Sequence, residues 1–334
     1  MTKSGAGVPA ELTTSLDRAV EVLRSGGLVA FGTETVYGLG ANALDSNAVA
    51  RIFAAKKRPL FDPLIVHLAD PADVFSLVTE VPDEARRLMD RFWPGPLSLV
   101  LPRKEIIPDL VTSGLPSVAV RVPAHDLARE LIRRSGVPVA APSANPFGRI
   151  SPTTAQHVMD HLADEIDLVL DGGPCRVGLE STVLQMVPGQ RPVMLRPGGI
   201  TREAIEAEIG PIATLSGSGE SKGPQVAPGQ LPQHYAPAKP LQIVSHWDES
   251  LLNETAGVLA FGPHPLLESL PHTTGRVEIL SRNKDLTEAA ANFFSALRRL
   301  DADPTVQIIY AESFPTEGLG LALNDRLTRA AAKS

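Results

Sequence analysis

The chain has 334 residues, of which 43% are hydrophobic and 21% are charged, and these ordinary globular values argue against wholesale disorder, a collagen-like repeat and a coiled coil. A chain of this length usually exceeds one compact core, so we expect two domains, with one large α/β domain as the alternative. The net charge of −7 opposes non-specific attraction to nucleic acid or to an anionic membrane.

Cysteine usage and the leading residues indicate the compartment. Cys175 stands alone, which excludes an internal disulfide and a four-cysteine zinc site and fits a reducing environment. The chain begins without the apolar core of a signal peptide, and no run approaches eighteen apolar residues. We therefore expect a soluble, cytoplasmic protein with no membrane partner.

The first part of the chain alternates apolar runs of strand length with amphipathic helical stretches. Residues 14–26 predict a helix, because Leu16, Val20 and Leu23 share one face. A strand at 28–31, a loop at 32–42 and a helix from about residue 47 to Pro59 follow. Further strands are predicted at 64–67, 97–101, 118–122, 137–141, 168–170, 182–186 and 193–195. Further helices are predicted at 82–92, 126–134, 154–162 and 201–209. This alternation predicts an α/β fold with a twisted mixed sheet flanked by helices.

The second part begins with a change of composition. Residues 211–239 are rich in proline, glycine and short polar side chains, which is typical of a linker. Strands are then predicted at 241–244, 257–261, 277–280 and 308–310, with helices near 286–299 and 325–332. The predicted organisation is a first domain at 1–210, a linker at 211–239 and a smaller, Rossmann-like α/β domain at 240–334.

The predicted loop at 32–42 is crowded with hydroxyl groups and glycines. Such a loop can offer backbone N–H groups to an anion, although an ordinary glycine-rich turn explains it equally well. The spacing of Gly38, Gly40 and Ala43 superficially matches a dinucleotide fingerprint. That motif opens directly from a strand, which this one does not, so the match is interpreted as chance.

A basic triplet, Lys56, Lys57 and Arg58, ends the second predicted helix. Cations at this position often only complement the helix dipole. Pro59 would fix Arg58 on a rigid loop, and a fixed guanidinium suits a phosphate group. His67, at the end of an apolar run, is by itself most simply a buried core histidine.

Ser143 and Asn145 follow a predicted strand at its carboxyl end, where α/β sheets bind ligands, but turn chemistry also favours them there. Neither a Gly-x-Ser-x-Gly elbow nor a Gly-x-x-x-x-Gly-Lys-Ser/Thr loop occurs, which excludes two common hydrolase and nucleotide-binding classes. His157 and His161 have a metal-ligand spacing, but Val158 replaces the glutamate of a zinc protease, so a solvated helix face is the simpler interpretation.

Seven blocks together resemble the YrdC-type L-threonylcarbamoyladenylate synthases, in the longer form with a C-terminal domain. They are GLVAFGTETVYGLGAN (27–42), KKRPLFDPLIVH (56–67), FWPGPLSL (92–99), VAVRVP (118–123), PVAAPSAN (138–145), GLESTV (178–183) and LRPG (195–198). PQHYAP (232–237) and GLGLALNDRLTRAA (318–331) resemble the linker and the ending of the longer form.

The resemblance implies an enzyme of transfer RNA modification, a nucleotidyltransferase. It would condense L-threonine, bicarbonate and ATP into threonylcarbamoyl-AMP and release pyrophosphate, for use by a separate transferase that modifies adenosine 37. Direct binding of transfer RNA is not expected. Mg²⁺ is expected on the phosphates, with no metal ligands from the protein.

The resemblance also implies roles for individual residues. The residues expected to hold L-threonine or its carbamate are Thr35, His67, Arg121, Ala141 and Ser181. The residues expected to hold ATP are Arg58, Asp62, Ser117, Ser143, Ser151, Arg196 and Tyr235. Lys56, Arg58 and Ser143 are the predicted catalytic residues, Asn145 is a further polar contact, and the linker carrying Tyr235 would close over the site as a lid.

Two positions depart from the family pattern, which usually has glycine where this chain has Lys57 and asparagine where it has Asp62. An acid beside ATP would need Arg58, a metal or water as a partner, so the nucleotide role of Asp62 is open.

Two other functions are less favoured by the sequence. A double-stranded RNA-binding module is weakened by the net charge of −4 over residues 1–210, and a carbamoyl-transfer protein of hydrogenase maturation normally carries cysteines that this chain lacks.

Overall fold

A computed structural model of the chain describes residues 9–215, 234–268 and 276–332. It is a mixed α/β protein with one large twisted sheet and a second, smaller parallel sheet, as expected from the sequence. Most of the predicted linker, residues 216–233, lies outside the described residues, and the proposed boundaries at 210 and 240 stay predictions.

The large sheet has eleven strands in the described part of the chain. Their bounds are β1 Glu11–Thr13, β2 Val29–Phe31, β3 Gly38–Asn42, β4 Ile65–His67, β5 Leu97–Pro102, β6 Ser117–Arg121, β7 Val139–Ala140, β8 Leu168–Leu170, β9 Thr182–Gln185, β10 Val193–Arg196 and β11 Ala213–Thr214. Their order is β1-β8-β2-β3-β7-β4-β6-β5-β9-β10-β11, and the sheet contains both parallel and antiparallel pairs.

Helices pack on this sheet, and several begin at a side chain that the sequence marks as a cap. Their bounds are α1 Leu16–Arg24, α2 Ser46–Lys56, α3 Val74–Leu77, α4 Asp83–Phe92, α5 Asp109–Thr112, α6 Asp126–Ser135, α7 Ala155–Leu162 and α8 Arg202–Ile209. Asp45, for example, accepts hydrogen bonds from the backbone N–H groups of Asn47 and Ala48 and so fixes the start of α2.

The second sheet is entirely parallel, with the order β12-β15-β13-β14. Its elements are β12 Leu241–Val244, β13 Ala256–Ala260, α9 Pro265–Glu268, β14 Val277–Ile279, α10 Leu286–Ala302, β15 Ile308–Glu312 and α11 Gly320–Ala331. Its core includes Phe293 and Phe294 of α10 and continues into the first domain, where Val36, Ile150 and Leu179 join the same apolar cluster.

The prediction of a loop over residues 32–42 is wrong in its second half, because Gly38–Asn42 forms the buried strand β3. The glycines that disfavoured a strand are required by packing. A Cβ atom at Gly40 would lie 2.7 Å from the Phe31 ring and 2.8 Å from Cγ1 of Val139. The last helix likewise begins at Gly320, five residues before the predicted start.

No helix within the described ranges is long and apolar enough to cross a membrane.

Candidate functional site

A small cavity of about 50 Å³ lies where several strands of the large sheet end against the second domain. Its lining is rich in hydroxyl and guanidinium groups. The lining residues are Thr33, Thr35, Val36, Gly38, Arg58, Ile65, His67, Arg121, Ala141, Pro142, Ser143, Glu180, Ser181, Arg196, His234 and Tyr235. These residues are distant in sequence, so the tertiary fold creates the cavity.

One side of the cavity is built by two neighbouring parallel strands. β4 and β6 pair so that their last residues, His67 and Arg121, lie side by side at the carboxyl edge. Arg121 Nη2 lies 2.7 Å from Glu34 Oε1, and its Nη1 donates a 3.0 Å hydrogen bond to Thr35 Oγ1. Burial, and then the charge of Arg121, lowers the pKa of His67 to about 3, so this imidazole is neutral at pH 7.

A second hydroxyl and guanidinium pair comes from the ends of β9 and β10. Ser181 Oγ lies 2.8 Å from Ser98 Oγ, and Arg196 Nη2 donates to Ser181 Oγ at 3.1 Å. Arg196 also donates to the Ser181 carbonyl from Nε and Nη2. Arg196 is 5% exposed, and burial lowers the pKa of its guanidinium. Ser181 and Arg196 therefore form one hydrogen-bonded unit at the cavity wall.

Arg58 reaches the cavity from the loop after α2, as the sequence predicts. Its Nε donates to the Asp62 carbonyl at 3.0 Å, its Nη2 donates to the Pro63 carbonyl at 2.9 Å, and its Nη2 also lies 2.9 Å from Asp62 Oδ2. Burial raises the pKa of Asp62, which does not line the cavity. Asp62 therefore lies beside Arg58 as its ion-pair partner.

Lys56 and Asn145 form a brace behind the cavity. Lys56 is 1% exposed, and its ammonium donates to the Ser143 carbonyl at 2.5 Å and to the Asn145 carbonyl. Asn145 Nδ2 in turn donates to the Arg149 carbonyl at 2.9 Å. These bonds fix the loop that carries Ala141 and Ser143, which do line the cavity. The structure thus gives Lys56 a place behind the predicted catalytic Ser143.

The remaining side of the cavity is formed by His234 and Tyr235, which follow directly on the part of the linker outside the described residues. Their rings are 4.1 Å apart and are 7% and 1% exposed. Tyr235 has a φ of +63°, a left-handed conformation that a bulky aromatic residue rarely adopts. Such backbone strain persists where the surroundings hold it, and the Tyr235 ring packs on Phe294 at 5.5 Å between centroids.

Nine of the residues singled out from the sequence line the cavity. They are Thr35, Arg58, His67, Arg121, Ala141, Ser143, Ser181, Arg196 and Tyr235. Lys56, Asp62, Ser117 and Ser151 do not line it. Ser117 begins β6, at the opposite end from Arg121, and Ser151 is fully buried and donates to Glu180.

Sequence reasoning missed two acidic residues at the site. Glu34 pairs with Arg121, and Glu180 lines the cavity. Both stand inside the blocks GTETVYG and GLESTV, so an acid amid otherwise apolar and hydroxyl-bearing residues was the available signal. His234, in the block PQHYAP, was missed in the same way.

Among the described residues, no group of three or more His, Cys, Asp or Glu side chains could hold a metal ion. The acids nearest the cavity are Glu34, Asp62 and Glu180, and each is in an ion pair with an arginine. A divalent cation at this site would therefore be held mainly by the phosphates of a bound nucleotide.

A second cleft, of about 420 Å³, lies between α7 and α10. Its lining includes half-buried His157 and exposed His161, so the solvated helix face predicted from the sequence is confirmed for His161 and holds in part for His157. Asp160 and Asp301 face Arg149, Arg298 and Arg299 there, and Arg299 also pairs with Glu278. The charges of this cleft are therefore largely balanced.

Comparison with known proteins gives matches over nearly the whole chain. The family described as "Telomere recombination", which groups Sua5, YciO and YrdC, matches residues 21–198, and "Threonylcarbamoyl-AMP synthase, C-terminal domain" matches residues 200–332. The threonylcarbamoyl-AMP synthase of Bacillus subtilis is 44% identical, over 96% of this chain and 95% of that protein. That of Pyrococcus abyssi is also 44% identical, over 93% and 92%.

The solved structures agree. P. abyssi Sua5 complexed with L-threonine superposes with a TM-score of 0.86 at 41% identity, covering 97% of each chain. The shared fold, the order of the sequence blocks and the two family matches lead to one conclusion. The chain belongs to the Sua5/YciO/YrdC family, in its two-domain form with a threonylcarbamoyl-AMP synthase C-terminal domain.

Proposed function

We propose that this protein synthesises L-threonylcarbamoyl-AMP from L-threonine, bicarbonate and ATP, with release of pyrophosphate. The observation that carries the proposal is the convergence of Arg58, Arg121 and Arg196 on one cavity from separate strand ends and a loop. Each is less than 10% exposed. Buried guanidinium groups suit carboxylate and phosphate ligands. The names of the relatives supply a carboxylate, L-threonine, and a product that carries a phosphate, threonylcarbamoyl-AMP.

The threonine carboxylate would bind at Arg121, with Thr35, His67, Ala141 and Ser181 around the rest of the amino acid. Because His67 is neutral at pH 7, it can accept or donate a hydrogen bond without adding a further charge beside Arg121. The ion pair between Arg121 and Glu34 fixes the guanidinium before substrate arrives. This arrangement positions the amine that reacts with bicarbonate.

The nucleotide would lie on the side of Arg58, Ser143 and Arg196, beneath Tyr235. In the reaction, the threonine amine and bicarbonate form a carbamate with loss of water. A carbamate oxygen then bonds to the α-phosphorus of ATP as the bond to pyrophosphate breaks. We expect the protein to act by aligning the two substrates and neutralising the phosphates, without a covalent nucleophile.

Mg²⁺ would enter on the phosphates of ATP and neutralise charge on the leaving pyrophosphate. Asp62 is not needed as a metal ligand in this scheme, because its carboxylate pairs with Arg58. Ser151 would act on the nucleotide side through Glu180, whose carboxylate accepts a 2.6 Å hydrogen bond from the Ser151 hydroxyl group.

Residues 211–239 are the proposed lid, and His234 and Tyr235 lie in the part of it that the structure describes. We expect His234 and Tyr235 to move when the nucleotide enters, because they form one side of a cavity of about 50 Å³ that has room for only a few waters. Re-closure would exclude water from the labile carbamate.

A double-stranded RNA-binding module is not favoured. The three arginines at the cavity are buried and thus not presented to the backbone of an RNA helix, and the whole chain carries a net charge of −7. The protein is expected to hand its adenylate to a separate transferase without holding transfer RNA itself.

The test is threonine-dependent pyrophosphate release from ATP, together with incorporation of labelled bicarbonate into an adenylate. Wild-type protein should release pyrophosphate only when both L-threonine and bicarbonate are present. Arg202→Met, at an exposed surface pair, serves as the matched control for arginine variants at the cavity. Pyrophosphate release that ignores threonine would refute the proposal.

A further inference from the structure

Arg326 is the largest fully buried side chain in the described part of the chain, and it joins the two domains. It lies on α11 of the second domain, with 0% exposure. Its Nε donates a 2.8 Å hydrogen bond to Glu180 Oε2 in the first domain, and its Nη1 donates to Asp325 Oδ2 at 2.6 Å. The guanidinium carbon lies 5.1 Å from the centroid of the Tyr235 ring.

Glu180 connects Arg326 of the second domain to the cavity. Glu180 is one of the residues that line the cavity, and its carboxylate is bonded at both oxygens, to Arg326 through Oε2 and to the Ser151 hydroxyl through Oε1. The backbone before it is pressed against the second domain. Gly178 has a φ of +74°, and a Cβ atom there would lie 2.5 Å from the Ala290 carbonyl of α10. The second domain thus fixes the position of Glu180.

Charge explains why this contact matters for a site that binds anions. A carboxylate at the wall of a buried cavity repels phosphate groups strongly, because few waters screen the interaction. Arg326 supplies the opposing charge from outside the first domain. The same guanidinium faces the Tyr235 ring, where a cation–π contact favours the closed position of that ring.

We propose that Arg326 is a positioning residue that the second domain supplies to the active site: it neutralises Glu180 and holds the Tyr235 ring, so that ATP binds tightly only when the second domain is docked. The inference rests on the proposed function for the identity of the nucleotide. Asp325, on the same helix, pairs with both Arg326 and Arg329.

The experiment measures the affinity for a non-hydrolysable ATP analogue by calorimetry, and the KM for ATP and kcat where turnover is seen. Arg326→Met should weaken analogue binding at least tenfold and raise the KM for ATP more than it lowers kcat. Removing the repelling charge as well, in Glu180→Gln/Arg326→Met, should restore binding to within about threefold of Glu180→Gln alone. Arg276→Met, which removes an exposed arginine paired with Glu278 elsewhere in the second domain, is the matched control and should bind as the wild type does.

Urea unfolding of the same variants separates the proposal from a merely structural role, because removing both charges of a buried ion pair can also recover stability. Weakened analogue binding by Arg326→Met protein that is still folded supports a role at the site, and binding that only follows the folded fraction would overturn it. Arg326→Lys provides a second route where Arg326→Met fails to fold, because it keeps the charge and should retain binding within a few-fold. A double variant no better than Arg326→Met, or Arg326→Lys as weak as Arg326→Met, would overturn the inference. Wild-type protein that binds the analogue but releases no pyrophosphate would instead overturn the proposed function.

Discussion

The cavity has two unlike walls. The strand-end wall consists of His67, Arg121, Ala141, Ser181 and Arg196, and all five residues end or directly adjoin strands of one sheet. The lid wall consists of Glu180, His234 and Tyr235, and contacts with the second domain hold Glu180 and Tyr235 in place.

The two walls are ordered by different interactions. Backbone hydrogen bonds between neighbouring strands fix the strand-end wall, so its geometry is present whenever the first domain is folded. The lid wall is held by one buried arginine, an aromatic contact and a strained tyrosine backbone. Under the proposed function, the strand-end wall is a pre-organised surface that holds the amino acid and offers Arg196 to the nucleotide, and the lid wall is an assembled cover for the nucleotide.

The largest effect should come from breaking the strand-end wall at Arg121. Arg121→Met leaves Glu34 buried without its partner, which should lower the free energy of unfolding by about 3–5 kcal/mol. Threonine-dependent pyrophosphate release should fall by a factor of about a hundred to a thousand, because the proposed carboxylate contact is lost. Urea unfolding and the pyrophosphate assay measure the two effects.

Arg202→Met, which breaks a surface ion pair with Glu206, is the control. It should lower the free energy of unfolding by no more than about 1 kcal/mol. Glu34→Gln/Arg121→Met should recover stability without recovering activity. Equal stability losses in Arg121→Met and Arg202→Met would show that the strand-end wall is not pre-organised by its ion pair.

Breaking the lid wall should affect turnover more than folding. Tyr235→Ala removes the ring between Phe294 and Arg326 and should lower kcat/KM for ATP by a factor of about ten to a hundred, since closure is impaired. Tyr235→Phe keeps the ring and should stay within about threefold of the wild type. Similar kinetics in Tyr235→Ala and wild type would contradict the role of the lid. Deletion of residues 211–239 is a coarser version of the test.

The pH dependence of stability tests whether the strand-end wall unfolds together with the rest of the first domain. Burial lowers the pKa of His67 to about 3, so between about pH 6.5 and pH 3 the unfolded chain binds a proton that the folded chain does not. Stability should therefore fall as pH falls, by about 2 kcal/mol from pH 7.5 to pH 5 for this residue.

His67→Gln should flatten the pH dependence of urea unfolding by that amount, whereas His246→Gln, at an exposed position, should not. Parallel pH profiles for wild type and His67→Gln would show that this wall does not unfold with the rest of the domain.

The smallest effect concerns Lys57, which precedes Arg58 and has the left-handed φ of +52°. Glycine adopts this conformation without the penalty of a Cβ atom, so Lys57→Gly should raise the free energy of unfolding by about 1 kcal/mol. Lys57→Ala removes the same charge but keeps Cβ, and thermal unfolding of the two variants isolates the backbone effect. Activity should be unchanged, since Lys57 does not line the cavity. No gain over Lys57→Ala would contradict this interpretation.

Much of the fold could be predicted from the sequence because strand and helix periodicity is local. Helix caps such as Asp45 and stops such as Pro59 lie beside the elements they bound. β3 was missed because its glycines are required by close contacts with Phe31 and Val139, and no local pattern reveals these contacts. The short strands β1 and β11 were missed for a similar reason, since partners distant in sequence define them.

The sequence by itself determined the family, the reaction proposed and nine residues of the cavity, because short blocks preserve the chemistry that substrates require. Only the tertiary structure decided that Lys56 and Asp62 lie behind the cavity rather than in it, and that Glu34 and Glu180 belong to the site. Only it decided that Arg326, nearly 150 positions from Glu180, completes the lid wall. The physical reason is that burial and charge pairing depend on which chain segments meet, and these segments meet only when both domains are folded together.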